Sequence, residues 1–135
     1  MGHEINNIVG AQGEAAVAAQ LAAAGFHVYA PIFCDPSTDL IAELGDQLIR
    51  VQVKTNSGSG HCLRFMVQTR DVASYIGVSD WLALHSAHYG VTAFLRPEEA
   101  GVRPTLYFGA DKPRQANQRK AADYPIERVI KELTT

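Results

Sequence analysis

Two apolar segments separated by the dipeptide Gly45-Asp46 constrain the fold of this chain more than any other feature of its sequence. Asp39 to Leu44 and Leu48 to Lys54 are both predicted to be strands. A glycine at the first central position is typical of a type II′ hairpin turn. In that turn Leu44 pairs with Gln47, and one face of the hairpin becomes wholly apolar, formed by Leu40, Ala42, Leu44, Ile49, Val51 and Val53.

The opposite face of this predicted hairpin gathers polar groups. Counting back from the turn places Asp39 opposite Gln52, with Cβ atoms about 5 Å apart, and puts Lys54 diagonal to Asp39 within side-chain reach. A three-residue turn that includes Gln47 breaks this register unless a bulge restores it. The same side chains can also form an exposed cross-strand Asp–Lys pair beside an ordinary glutamine, which is a structural alternative to a functional site.

The first helix carries one charged residue where apolar residues are expected. The segment from Ile8 to Ala24 is rich in alanine and stops at Gly25, with Asn6 and Asn7 as candidate N-caps. Helical periodicity places Glu14 on one stripe with Gly10, Val17, Ala18 and Leu21. A buried carboxylate needs a cation, a metal ion or hydrogen-bond donors. Alternatively, Glu14 lies at the exposed margin of the stripe or pairs with an arginine.

The remaining segments predict a mixed α/β domain. Strands are predicted at 26–30, 62–68, 81–85, 91–95 and 105–108. The strands at 81–85 and 91–95 are predicted to form a hairpin. A flexible connection at 55–60, a helical turn at 71–76 and a C-terminal helix at 125–133 complete the pattern. The length of 135 residues fits one domain, which we expect to span 1–135.

Composition narrows the class of protein. A hydrophobic fraction of 47% and a charged fraction of 19% are typical of a folded globular chain. The sequence lacks an apolar run of the roughly 20 residues that a membrane span needs, and its N-terminus does not resemble a secretory signal. Two cysteines make no disulfide framework. We therefore expect a cytoplasmic protein without a membrane partner.

Charge is distributed unevenly along the chain. The net charge of −2 disfavours nucleic-acid binding, but residues 101–135 carry seven basic and four acidic side chains, against five basic and ten acidic in residues 1–100. The basic segment is either a solvated surface or a patch that contacts phosphates. The candidate nucleic-acid contacts are Lys112, Arg114, Asn117, Gln118, Arg119 and Lys120.

The order of four short segments resembles the PD-(D/E)XK nuclease superfamily. These segments are Gly13-Glu14, Gly25-Phe26, Asp39-Leu40-Ile41 and the run from Arg50 to Thr55. The pattern is most similar to a small branch typified by an intron-encoded homing endonuclease, in which glutamine replaces the usual acidic residue before x-Lys. Residues 113–124 also resemble the tail of that branch. The resemblance implies a restriction-endonuclease-like core, with a mixed central sheet flanked by helices.

The resemblance also implies that Glu14, Asp39, Gln52 and Lys54 form an active site. Phosphodiester cleavage uses Mg²⁺ or Mn²⁺ to activate water and to neutralise charge at phosphorus. Asp39, the Gln52 side-chain carbonyl and the Val53 backbone carbonyl are candidate metal ligands, with Glu14 binding directly or through water. Lys54 is expected to orient or deprotonate the water and to stabilise developing negative charge.

Two departures from the family pattern and several alternatives remain. Thr38 stands where proline is usual, and Gln52 removes one negative charge, which leaves a non-cutting domain possible. The first hypothesis is a metal-dependent endonuclease that cuts double-stranded DNA as a homo-oligomer (dimer or tetramer), as a homing, phage or mobile-element enzyme or a Holliday junction resolvase. The second is a non-catalytic module that binds nucleic acid or protein. The third is an interaction protein such as an immunity factor.

Overall fold

One long helix, two sheets and several short helices make up the described part of the chain. The computed structural model describes residues 2–32, 38–68, 74–109 and 118–135, with the backbone alone for residues 2–6. The helices are α1 (Gly2–Ala23), α2 (Pro97–Ala100) and α3 (Glu127–Thr134), with a 3-10 turn at Ala121–Asp123. The strands are β1 (His27–Tyr29), β2 (Leu40–Leu44), β3 (Gln47–Asn56), β4 (Cys62–Arg64), β5 (Trp81–Ser86), β6 (Val91–Leu95) and β7 (Thr105–Tyr107). No described helix is long and apolar enough to cross a membrane.

The larger sheet has five strands in the order β1-β2-β3-β5-β6, and β4 and β7 form a second sheet. Three pairings in the larger sheet are antiparallel, whereas β3 and β5 run parallel, from Val51 beside Trp81 to Asn56 beside Ser86. A parallel pair needs a long crossover connection, and the chain between β3 and β5 contains β4. The mixed central sheet flanked by helices confirms the predicted fold class.

The β2–β3 hairpin has the predicted register. Leu44 pairs with Gln47 and Leu40 pairs with Val51. Gly45 has a φ of +64°, and none of the described residues other than glycine has a positive φ. A positive φ at the first central position, with a negative φ at Asp46, is the requirement of a type II′ turn. The two-residue turn therefore sets which side chains of the two strands share a face.

Helix α1 begins earlier than predicted and ends at Ala23, one residue before the predicted end. Its first residue is Gly2, so the assignment of Asn6 and Asn7 as N-caps was wrong. Asparagine in a helix interior costs only about 0.7 kcal/mol relative to alanine, and the backbone hydrogen bonds of the added turns offset that cost. At the other end, Phe26 N donates to Leu21 O, and Gly25 has a φ of +102°. This is a Schellman termination, which favours glycine.

The larger sheet has a hydrophobic core on each face. One core lies under α1 and α3, and it includes the predicted apolar face of the hairpin, all of which is buried or partly buried there. The second core lies between the larger sheet and the β4–β7 sheet. Strand β5 is buried along its whole length because both of its faces are covered. Its residues alternate between the cores, with Trp81 and Ala83 in the first and Leu82 and Leu84 in the second.

Proline explains why strand β4 is shorter than predicted. Strand β4 ends at Arg64 rather than at residue 68. Phe65 N still donates to Pro104 O, and Val67 N to Val102 O. Pro104 has no N–H to donate in return, so the two segments stay adjacent without forming a regular β-ladder.

Other boundaries differ by one to two residues. Strand β3 continues through Asn56 because Thr55 and Asn56 pair with β5, so the predicted flexible connection starts only at Ser57. Strand β7 ends at Tyr107, and Phe108 N donates instead to His61 O. The predicted helical turn at 71–76 lies partly outside the described residues, and residues 74 and 75 are not helical.

Candidate active site

Asp39 lies just before β2, at a point where its backbone and its side chain both contact β3. Asp39 N donates to Val51 O over 3.2 Å. One oxygen of its carboxylate, Oδ2, accepts a hydrogen bond from Val53 N over 2.9 Å. The carboxylate therefore occupies the place that a further strand residue would take in the ladder. Within a strand the N–H and C=O of one residue point to the same side, so the Val53 carbonyl also points toward Asp39.

Gln52 supplies a buried oxygen with no hydrogen-bond partner. The residue is 5% exposed, and its Oε1 is one of two such orphaned side-chain atoms in the described part of the chain. An unsatisfied buried polar atom costs about 1–3 kcal/mol. A cation bound beside Gln52 would satisfy this oxygen. The unpaired oxygen therefore indicates that these residues fit a metal ion.

Glu14 points at Asp39 from helix α1. Burial raises the pKa of the Glu14 carboxyl, and the charge of Asp39 and a hydrogen bond with the Asp39 side chain raise it further. Two carboxyl groups this close repel each other when both are ionised, and they either share a proton or bind a cation. Glu14 is therefore half-buried at the margin of the apolar stripe, and its acidic neighbour there is Asp39.

A glycine allows α1 to come close enough for this contact. Gly13 is buried, and a Cβ added there would lie 1.8 Å from Thr55 Oγ1 and 3.0 Å from Thr55 Cβ. The Thr55 hydroxyl is the other buried side-chain atom without a partner in the described residues. Because Gly13 precedes Glu14 and Thr55 follows Lys54, this one contact sets the spacing between the two elements that carry the site. Sequence reasoning gave Gly13 no structural role, although a glycine within an alanine-rich helix was a signal for one.

Lys54 lies on the same face of β3 as Gln52, two residues farther along the strand. Its ammonium nitrogen is 5.1 Å from the centroid of the Tyr75 ring. Tyr75 is 2% exposed and belongs to the second core. No sequence pattern indicates this partner, because Tyr75 falls in the segment predicted to be a helical turn.

These residues form a set of oxygen donors that suits a hard divalent cation. The described residues contain no group of three or more His, Cys, Asp and Glu side chains placed to hold a metal ion. The charge of the set therefore comes from Glu14 and Asp39, and the Gln52 amide and Val53 carbonyl oxygens are neutral. Mg²⁺ and Mn²⁺ prefer such carboxylate and carbonyl ligands, and both commonly retain water in the remaining positions. The residues present fit the ion.

The candidate nucleic-acid contacts are only partly described. Lys112, Arg114 and Asn117 lie outside the described residues. Gln118 Nε2 donates to Cys62 Sγ over 2.7 Å, which ties the segment to β4. Arg119 and Lys120 are exposed beside β7.

The raised pKa of Glu14 predicts a specific pH dependence of stability. Between the ordinary pKa of a glutamate and the raised value, the metal-free folded protein binds more protons than the unfolded chain. Its free energy of unfolding should therefore fall as the pH rises through that window. Glu14→Gln should remove this loss, whereas the exposed Glu127→Gln should retain it. Urea unfolding in a chelating buffer at a series of pH values measures the effect. An unchanged profile in Glu14→Gln would show that Glu14 is not the titrating group.

Known proteins similar to this chain agree with its architecture. The family model of the PD-(D/E)XK endonuclease matches residues 6–78, which is more than half of the chain and includes all four predicted site residues. The bacterial homing endonuclease I-Ssp6803I has a similar fold, with a TM-score of 0.72 and 16% sequence identity over 95% of this chain and 91% of that one. No curated protein sequence matches significantly. The chain belongs to the PD-(D/E)XK endonuclease family, as its sequence had indicated.

Proposed function

We propose that this nuclease is a Mg²⁺-dependent endonuclease that hydrolyses phosphodiester bonds of double-stranded DNA, with residues 1–135 acting as one domain. Two observations carry the proposal: the contact between the Glu14 and Asp39 carboxyl groups, and the buried Gln52 oxygen without a partner on the strand next to Asp39. Family membership supports the chemistry. The fold of a homing endonuclease supports the choice of DNA as substrate.

Four groups of the chain would hold the metal ion. Asp39 and Glu14 supply negative charge, and Gln52 Oε1 and the Val53 carbonyl supply neutral oxygens. When bound, Mg²⁺ or Mn²⁺ provides a Lewis acid and lowers the pKa of a coordinated water. The hydrogen bond from Val53 N fixes the orientation of the Asp39 carboxylate before any ion arrives. Such preorganisation lowers the cost of assembling the site.

Lys54 would act on the water and on the phosphate. Its ammonium group can donate hydrogen bonds to a nonbridging phosphate oxygen and orient the attacking water. A cation–π contact such as that with Tyr75 is worth only about 0.5–1 kcal/mol at a partly exposed position. Lys54 can therefore leave the Tyr75 ring when a phosphate, which pairs more strongly with an ammonium group, enters the site.

A single chain offers one such site, and cutting both strands of a duplex is simplest with two. We therefore propose that the active form is a homo-oligomer, a dimer or a tetramer. Gln52 gives the site one negative charge fewer than a site with an acidic residue there. We therefore expect cleavage to require a high metal concentration. A non-cutting DNA-binding module remains the rival function.

Cleavage of supercoiled plasmid in Mg²⁺ or Mn²⁺ tests the proposal. The wild type should nick or linearise the plasmid, and Lys54→Ala should cut at least about 100-fold more slowly, because it loses both water orientation and charge stabilisation. Lys131→Ala removes an exposed lysine of α3 and should cut like the wild type. Equal cutting by the wild type and Lys54→Ala would mean a contaminating nuclease. DNA binding without cutting would favour the rival module.

A further inference from the structure

Some of the Lys and Arg side chains in the described residues form ion pairs, and others do not. Arg50, Arg96 and Arg128 are held in ion pairs with Asp80, Glu132 and Glu99, respectively. Five others are exposed and belong to none of the ion pairs among the described residues: Lys131 on α3, and a group of four that consists of Arg64, Arg103, Arg119 and Lys120. Arg119 does act at longer range on Glu99. Burial by itself raises the pKa of the Glu99 carboxyl, but hydrogen bonds with Arg128 and the Arg96 backbone, and the charges of Arg128 and Arg119, together lower it.

These four residues lie on or beside the second sheet, although they are far apart in sequence. Arg64 is the last residue of β4 and pairs with Thr105 of β7, and Arg103 lies two residues before β7. On the other side of β7, Tyr107 N donates to Arg119 O over 2.7 Å, and Tyr107 forms a parallel bridge with Lys120. We call the surface formed by Arg64, Arg103, Arg119 and Lys120 the basic surface.

The segments that carry the basic surface contain no acidic residue. Residues 57–68, 101–109 and 118–122 include neither aspartate nor glutamate, although the chain has 14 of them and a net charge of −2. Asp123 is the nearest acidic residue along the sequence. Like charges within a Debye length, about 8 Å at physiological salt, repel one another. An anionic partner would relieve that repulsion.

The basic surface is joined to the candidate active site. Asn56 lies two residues beyond Lys54 on the same strand, about 7 Å along it at the usual rise per residue. The Asn56 side chain donates to Arg64 O over 2.8 Å. Arg64 is therefore fixed beside the strand that carries Gln52 and Lys54. A polyanion with one phosphate at Asp39 and Lys54 could continue over Arg64 onto the rest of the surface.

We infer that the basic surface contacts the phosphate backbone of duplex DNA on one side of the bond that is cut. This inference rests on the proposed function, because the phosphodiester-cleaving site adjoining the surface selects DNA over other anionic partners. The sequence had indicated only the segment from Lys112 to Lys120. Arg64 and Arg103 join the surface solely because β4 pairs with β7.

Binding of a fluorescent duplex in a chelating buffer tests the surface without cleavage. Arg64→Gln and Arg103→Gln should each weaken binding about 5- to 10-fold and reduce the slope of log K against log salt by about 0.9, the value for one lost phosphate contact. The variant with all four cations replaced by glutamine should lose about 3 to 4 from that slope. Lys131→Gln changes the net charge equally from α3 and should alter affinity less than about twofold. If Arg64→Gln and Arg103→Gln bind like Lys131→Gln, DNA does not lie on this surface.

Plasmid cleavage separates failure of the surface from failure of the site. The quadruple glutamine variant should have a higher KM and an unchanged kcat, because its active-site residues are intact. Lys54→Ala should instead have a lower kcat. A quadruple variant that cuts with the wild-type KM would overturn the inference that the basic surface binds DNA, and it would leave the nuclease proposal standing. A wild type that binds duplex DNA through these cations without cutting would overturn the proposed catalysis and leave the surface standing. Absence of DNA binding by the wild type would overturn the surface.

Discussion

Asp39→Asn is expected to abolish metal-dependent cleavage while preserving the fold. The asparagine side chain keeps an oxygen that can accept the hydrogen bond from Val53 N, so the start of β2 should stay in place. It removes one of the two carboxylates that would bind the ion. Losing about 4 kcal/mol of the transition-state stabilisation that a metal ion provides corresponds to a rate about 1000-fold lower.

Metal binding and cleavage should fail together in this variant. Mn²⁺ should raise the midpoint of thermal unfolding of the wild type, because it binds the folded state, and should leave Asp39→Asn unchanged. Asp46→Asn makes the same chemical change at the exposed turn between β2 and β3, so it is the matched control. It should respond to Mn²⁺ and cut plasmid like the wild type. Equal cleavage by the two variants would exclude Asp39 from the active site.

Gly13→Ala is expected to impair both stability and cleavage, although alanine is the better helix former. The added methyl group overlaps the Thr55 hydroxyl, so α1 or β3 has to move. Overpacking of this kind costs about 1–3 kcal/mol, against a gain of about 1 kcal/mol in helix propensity. Because Glu14 follows directly in the helix, the shift should displace its carboxylate. A displacement near 1 Å can cost about 100-fold in rate.

The same helix provides the control for this substitution. A Cβ at Gly10 would meet nothing within 4 Å, so Gly10→Ala should raise the free energy of unfolding by about 0.5–1 kcal/mol and leave cleavage unchanged. Thr55→Ala added to Gly13→Ala removes the overlapping hydroxyl and should recover part of the loss in a double-mutant cycle. Urea unfolding and plasmid cleavage are measured for the wild type, Gly10→Ala, Gly13→Ala, Thr55→Ala and the double variant. If Gly13→Ala matches Gly10→Ala in both, the helix contact does not position Glu14.

Local patterns were sufficient for the hairpin. Side chains alternate along any strand, and a two-residue turn allows only one pairing of its flanking residues. The sequence could therefore place Gln52 and Lys54 on one face and the apolar residues on the other, and the observed register agrees. The roles of these side chains in catalysis remain predictions.

Boundaries were predicted less well where a distant residue decided them. Strand β3 continues to Asn56 because β5 pairs with it, and β4 ends at Arg64 because Pro104 cannot return a hydrogen bond. The start of α1 was misplaced for a different reason. Asn6 and Asn7 are good N-caps, but a capping preference is weak enough for a continuing helix to override it.

The sequence by itself determined the α/β class, the hairpin and the end of α1 at Gly25, because these depend on periodicity and turn geometry within short stretches of chain. Only the tertiary structure decided which distant segments meet. It brought Glu14 to Asp39, packed Gly13 against Thr55 and placed Lys54 over Tyr75. It also joined Arg64 and Arg103 to the basic C-terminal segment through β4 and β7. Such contacts depend on how helices and sheets pack together, and that packing is a property of the whole chain.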